Sequence, residues 1–176
     1  GNGIDIAKHP EYDLWIPEMI FGHLRTSTNY NKEEKKIVGG KNGFGFKLVL
    51  IWSKEGYIET VDHVRKLKYC QKFENNLDVI CKPSIKKCTT KPYTKIRFKP
   101  DYERLGINGL TNDMKSLMIK RIYDVAAITD KNVKVKYNSE LVPVKNLIQY
   151  VNIYLDDSYK KIHEDTGEHW EYICLL

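Results

Sequence analysis

Residues 37–53 read IVGGKNGFGFKLVLIWS, with Gly39, Gly40, Gly43 and Gly45 inside seven positions and Lys47 two residues further on. Glycine reaches positive φ without steric cost and lets backbone N–H groups approach a ligand closely. A helix start carries unpaired N–H groups and the positive end of a dipole, so it attracts anions. The apolar run after Lys47 predicts a buried helix from Phe44 to about Trp52. Glycines, a helix start and a lysine, in that order, have the makings of a phosphate cradle. The plainer alternative is a flexible loop ahead of an ordinary buried helix.

The familiar phosphate loops do not fit. A Walker A loop needs Gly-Lys-Ser/Thr, but Lys47 stands between Phe46 and Leu48, with no hydroxyl for a magnesium ion. The dinucleotide fingerprint needs a third glycine where Leu48 sits, and a kinase loop fails at the same position. Phosphate held here belongs to another fold. Metal chemistry finds less support. Cys70, Cys81, Cys88 and Cys174 have no C-x-x-C spacing, and they read as reduced thiols of an intracellular protein. The histidines form no H-E-x-x-H motif, and His163 and His169 flank an acidic turn with a surface role.

The elements that would position the loop follow from pattern. Pro17 to Leu24 reads as a short helix with proline in its first turn and with Ile16, Ile20, Phe21 and Leu24 on one face. RTSTNYNKEEKK, residues 25–36, is a polar, hydroxyl-rich loop. From Tyr57 to Phe98 the period changes to two. TKIRFKP puts Ile96 and Phe98 inward and Lys95, Arg97 and Lys99 outward, as in a half-buried antiparallel strand. The basic string from Lys82 to Lys99 reads as the wet face of a sheet, with nucleic-acid binding as the alternative.

Thr111 opens a long helix whose apolar stripe is Met114, Leu117, Met118, Ile122, Val125 and Ala126. A hairpin turning near Asn138-Ser139 follows, and then a helix with Leu147, Ile148, Val151 and Leu155 inward. Helices and hairpins of this kind stack as a sheet with helices on one face.

The chain has 176 residues, 41% of them hydrophobic, a net charge of +6 and a pI near 9.0, as expected of a globular domain that can meet nucleotides or nucleic acid. No apolar run reaches the roughly 18 residues a membrane span needs, and no membrane partner is expected. The chain opens on Gly1-Asn2-Gly3-Ile4 without methionine and closes on HWEYICLL, which reads as a strand cut off midway; a fragment is expected.

Three stretches in order carry a family resemblance: GNGI at the start, TSTNY at 26–30, and GGKNGFGFKL at 39–48. Together they resemble the ATPase region of type II DNA topoisomerases of the eukaryotic and large-virus branch. That region has the Bergerat (GHKL) ATP-binding fold. RIYDVAAIT, the VPVK of LVPVKNLIQYV and HEDTGEHWEYICLL look like the same family, so the resemblance covers essentially the whole chain. It implies an α+β, two-layer sandwich of a mixed, mainly antiparallel sheet with helices on one face, truncated at its N-terminus. Residues 1–160 would be the ATPase domain and 161–176 the start of the transducer domain.

Carried over residue by residue, the resemblance places Gly1 and Gly3 under the adenine and ribose. Ser27, Thr28 and Asn29 would bond ribose and phosphate. Gly40, Lys41, Asn42, Gly43, Phe44, Gly45, Phe46 and Lys47 would wrap the triphosphate, with Lys47 contributing charge. Arg25, Phe46 and Asp5 depart from the family pattern, while Lys41-Asn42-Gly43-Phe44-Gly45 points away from bacterial gyrase.

The implied cofactors are ATP and Mg2+. The adenine-recognising aspartate and the magnesium-binding asparagine would precede Gly1, the general-base glutamate would lie further upstream, and a γ-phosphate lysine would follow Leu176. The catalytic and metal residues are therefore expected outside this sequence, and the chain alone is expected to bind ATP weakly and not to hydrolyse it.

The parent would pass one DNA duplex through another using ATP, with this region as a homodimerising gate. It would work in the nucleus of a cellular eukaryote, or in the host cytoplasm or viral factory if viral. Two alternatives stand: a mismatch-repair type ATPase of the same fold, which would lack the family-like second half, and a basic nucleic-acid-binding module. The module needs aromatics interleaved with its cations; Tyr93 and Phe98 sit among lysines, but Phe98 is expected on the apolar face.

Overall fold

The structure, a computed structural model, describes residues 1–24, 26, 40, 42–155, 158–167 and 170–175. The sequence readings on Arg25, Ser27, Thr28, Asn29, Gly39, Lys41 and His169 lie outside the described residues. The chain forms two compact units, Gly1–Asn108 and Gly109–Leu176.

The first unit contains helices α1 (Ile16–Gly22) and α2 (Gly45–Ile51), then strands β1 (Ser53–Val61), β2 (Leu67–Glu74), β3 (Val79–Ile80), β4 (Ser84–Lys87) and β5 (Tyr93–Pro100). The sheet runs β3-β2-β1-β5, with β4 also on β2, and every described pairing is antiparallel. Alternation along β1 turns Gly56, Ile58 and Thr60 into the protein and Tyr57 and Glu59 away from it. Phe21, Leu50, Ile58 and Phe73 form the core between helices and sheet.

Gly56 has to be glycine for packing reasons, because a Cβ there would stand 2.3 Å from Leu50 Cδ2. A polar chain pins α1 to β2: Tyr69 donates its hydroxyl to Gln71 Oε1 (2.6 Å), and Gln71 Nε2 donates to Glu18 (2.9 Å) and to the Cys81 carbonyl (3.0 Å).

The apolar face read for α1 is narrower than its pattern. Pro17, Phe21 and Gly22 are buried, whereas Ile20 and Leu24 are exposed. The inward reading of Ile96 and Phe98 also needs correction. Both lie on the helix side, opposite Ile58 and Gly56, yet they are 39% and 50% exposed. The core cluster draws on α1, α2, β1 and β2 but takes no residue from β5, the end of the sheet among the described residues.

The second unit contains α3 (Asn112–Ile128), the hairpin β6 (Lys136–Tyr137) and β7 (Glu140–Leu141), α4 (Leu147–Val151), and the hairpin β8 (Lys161–Asp165) and β9 (Glu171–Leu175). Thr111 caps α3, its hydroxyl accepting from the Met114 N–H (3.2 Å), and Asn146 caps α4 through Gln149 N–H (2.8 Å). Asn138 and Ser139 both have positive φ (47° and 72°), as a tight two-residue hairpin turn requires.

Ala126, Ala127, Val142 and Val144 make the core, with Ile122, Tyr123 and Tyr150 packed on it. The stripe predicted for α3 is therefore displaced around the helix. Ile122 and Ala126 do face the core, but Leu117, Met118 and Val125 are exposed. On α4, Ile148 is exposed rather than inward. No described helix is long and apolar enough to cross a membrane.

Candidate nucleotide site

The glycine loop enters α2 as its spacing predicts. Gly40 and Gly43 have φ of 92° and 65°, a left-handed conformation that favours glycine, and nothing lies within 4 Å of where a Cβ would stand on Gly40 or Gly45. Phe44 is the N-cap in αR conformation and offers no side-chain cap; the first intrahelical bond runs from Leu48 N–H to Phe44 C=O (2.9 Å). The amides of Gly45, Phe46 and Lys47 therefore have no acceptor within the helix. The Phe46 side chain turns inward, edge-on to Phe21 at 5.1 Å between centroids, so the backbone is what it can offer a ligand.

Lys47 is the unexpected member. Its residue is only 2% exposed, and its Nζ donates to Thr26 Oγ1 at 2.7 Å. Among the described residues no carboxylate pairs with it. Burial pulls its pKa below the usual lysine value. The Thr26 hydroxyl in turn donates to the carbonyls of Met19 (3.0 Å) and His23 (3.3 Å) at the end of α1. Thr26 is the first residue of the TSTNY stretch, and this bond ties it to the first turn of α2. The sequence places Thr26 in the TSTNY stretch but assigns it no role of its own; the bond to Lys47 supplies one.

The N-terminal glycines reach the same layer. His63 N–H donates to Asn2 C=O (3.2 Å), Ile4 N–H to Thr60 Oγ1 (2.9 Å) and Ile6 N–H to Asp62 Oδ2 (3.0 Å), so residues 2–6 are stitched along the end of β1. Gly3, at φ 72°, is forced by close approach, since a Cβ would stand 1.9 Å from the Val61 carbonyl oxygen. Gly1 is open and exposed. Ile4 and Phe46 pack against one cluster, Phe21, Leu50, Ile58 and Phe73. Gly3 and Lys47 are thus each one residue from a shared core.

Asp62 is a second residue that sequence reading missed. Its buried carboxylate accepts from the amides of Ile6, Val64 and Arg65 and from the Arg65 guanidinium. Burial alone would raise its pKa, but these four donors outweigh that and hold it at about 2. The bonds to Val64 and Arg65 are the Asx-turn pattern, legible in principle from an aspartate just past a strand. Asp5, a departure from the family pattern, pairs with Arg65 at 3.4 Å.

No family model matches the chain. Curated relatives do. It is 41% identical over 184 residues to a DNA topoisomerase 2 of Arabidopsis thaliana, covering 99% of this chain and 12% of the relative. It is 44% identical over 174 residues to that of Acanthamoeba polyphaga mimivirus, covering 97% and 14%. A solved ATPase region of Saccharomyces cerevisiae topoisomerase II superposes with a TM-score of 0.91 at 40% identity, covering 98% of this chain and 46% of that one.

The chain belongs with the ATPase region of type II DNA topoisomerases.

The solved ATPase and transducer domains of the Balamuthia mandrillaris topoisomerase II agree, with a TM-score of 0.89 at 37% identity over 98% of this chain and 44% of that one. Eukaryotic and large-virus topoisomerases are both represented, the branch that GNGI, TSTNY and GGKNGFGFKL together resemble. The α+β architecture with antiparallel sheets matches that ATPase region. The chain spans about an eighth of the length of these curated topoisomerases and under half of the solved ATPase-region chains.

Proposed function

We propose that this chain supplies the triphosphate-binding wall of an ATP site in the gate of a type II DNA topoisomerase. The observation that carries the reading is the Lys47 Nζ–Thr26 Oγ1 bond, which joins the residue just before Ser27 to the helix that follows the glycine loop, over the core that also seats Ile4.

The residues present fit a polyphosphate. Gly40 and Gly43 shape a loop with open space above Gly40 and Gly45, and a buried ammonium, bonded among the described residues to the Thr26 hydroxyl, stands behind it. In this reading the amides from Gly40 to Phe46, with Lys41 and Asn42, line the phosphates. Lys47 neutralises their charge, Thr26 sets the direction of Lys47, and Ser27, Thr28 and Asn29 bond the ribose end. Gly1 and Gly3 floor the adenine side. Bound ATP with Mg2+ would supply the free energy of gate closure, through tighter binding to the closed form. The DNA partner, the homodimer, the boundary near residue 160 and a nuclear or viral-factory location belong to the same proposal.

The test is titration of the ATPase region, with its upstream segment, against a non-hydrolysable ATP analogue and Mg2+. Lys47→Ala should weaken binding by about tenfold or more, the scale of a lost charge-assisted hydrogen bond. An unchanged dissociation constant would remove Lys47 from the site.

A further inference from the structure

The face of the first unit's sheet that points away from α1 and α2 carries most of that sheet's charge. In register, Lys95, Arg97 and Lys99 of β5 lie beside Glu59, Tyr57 and Glu55 of β1, which lie beside Cys70, Lys72 and Glu74 of β2. Lys68 of β2 lies beside Lys86 of β4. Alternation puts all these side chains on one side, opposite the buried Gly56 and Ile58.

The carboxylates of this face are already engaged. Glu59 takes the Tyr93 hydroxyl and Lys68 Nζ (3.1 Å), and these donors hold its carboxyl at about 2. Glu55 and Glu74 share Lys72, at 3.5 and 2.5 Å. Among the described residues no carboxylate pairs with Lys86, Lys95, Arg97 or Lys99. The Arg97 guanidinium carbon lies over the Tyr57 ring, 4.7 Å from its centroid, a cation–π contact that positions the guanidinium while leaving its charge unneutralised.

We infer that this face is a contact surface for the phosphate backbone of duplex DNA, met by Lys86, Lys95, Arg97 and Lys99. The geometry suits a rod of regularly spaced charge. Alternate β5 residues are roughly 6.8 Å apart, about two nucleotide rises, and β4 lies about 14 Å from β5 across three strand spacings. No side chain of the four is placed to read a base edge through a groove-filling element, so binding is independent of sequence. The choice of DNA over other polyanions rests on the topoisomerase reading. The surface itself owes nothing to the glycine loop.

The experiment is fluorescence anisotropy of the 176-residue chain with a labelled 30-base-pair duplex, across a salt series. Four phosphate contacts predict a slope of log K against log salt of about −3.6. Lys95→Gln with Lys99→Gln should flatten that slope by about 1.8 and weaken binding across unrelated sequences alike. Lys131→Gln with Lys134→Gln, on the second unit, should change neither.

The substitutions are at exposed positions, and a thermal melt checks folding. Wild-type slope and affinity in the β5 double variant overturn the inference. So does binding to vesicles of 30% phosphatidylserine with none to the duplex. A nucleotide titration on the same proteins separates the two readings. In the β5 double variant, weakened DNA binding with nucleotide affinity unchanged supports this surface independently of the ATP site. A wild-type chain that does not bind the duplex removes this surface, while an ATPase region with its upstream segment that binds the duplex but no nucleotide removes the ATP site.

Discussion

Lys47 Nζ and Thr26 Oγ1 lie 2.7 Å apart, and the bond spans 21 residues between the end of α1 and the first turn of α2. The lysine is buried and has one neutral oxygen as its partner among the described residues. Thr26→Val keeps the side chain's shape and removes that oxygen. The buried ammonium then lacks an acceptor, and stability should fall by about 1–3 kcal/mol in urea unfolding. Thr26→Ser should restore most of it. A Val variant as stable as wild type would mean that the ammonium finds another acceptor.

Asp62 sets an acid limit. Its folded pKa, about 2, lies below the ordinary aspartate value of 3.8, so the folded state favours the charged form. The sign follows: its stabilisation is complete above pH 4 and is lost as pH falls through 2. The shift corresponds to about 2 kcal/mol. Stability measured from pH 5 down to 2 should therefore fall less steeply in Asp62→Asn, by about that amount. Equal slopes in the two proteins would show that Asp62 does not titrate with unfolding.

Gly3 and Gly1 should differ sharply as alanine variants. At Gly3 the new Cβ meets the Val61 carbonyl at 1.9 Å in a left-handed conformation, and the cost should be about 2 kcal/mol or more. Gly1→Ala meets nothing within 4 Å and should change stability by less than about 0.5 kcal/mol. Thermal melts of the two variants decide this, and a tolerant Gly3 would mean that residues 2–6 sit further from β1.

The 176-residue chain should release phosphate from ATP and Mg2+ only at the background rate. Hydrolysis needs a base for water and cations on the transferred phosphoryl group, and the family resemblance assigns these to residues outside this sequence. Sustained turnover by the purified chain would place the base among the residues in hand.

Local chemistry proved readable. The Thr111 cap, the Asn138-Ser139 turn and the start of α2 depend on residues within a few positions of each other, and each appears where its pattern put it. Burial was less readable. Periodicity says which residues share a face, but cover depends on what packs there. Ile96 and Phe98 sit on the proper side of β5 and stay half-exposed, and on α3 the alanines at 126 and 127 face the core while Leu117 and Met118 do not.

The site divides the same way. The glycine loop is a backbone feature written in glycines. The burial of Lys47 depends on Thr26, and the stitching of residues 2–6 on Asp62, through contacts that no local pattern carries.

The bonds from Ile4 to Thr60 and from Ile6 to Asp62 each join residues 56 apart in the chain, whereas β1 and β2 pair across a short turn. Closing the longer loop costs more chain entropy and gains its reward only once the end of β1 exists as a template. The leading segment should therefore dock late in folding, completing an edge that the hairpin has already built.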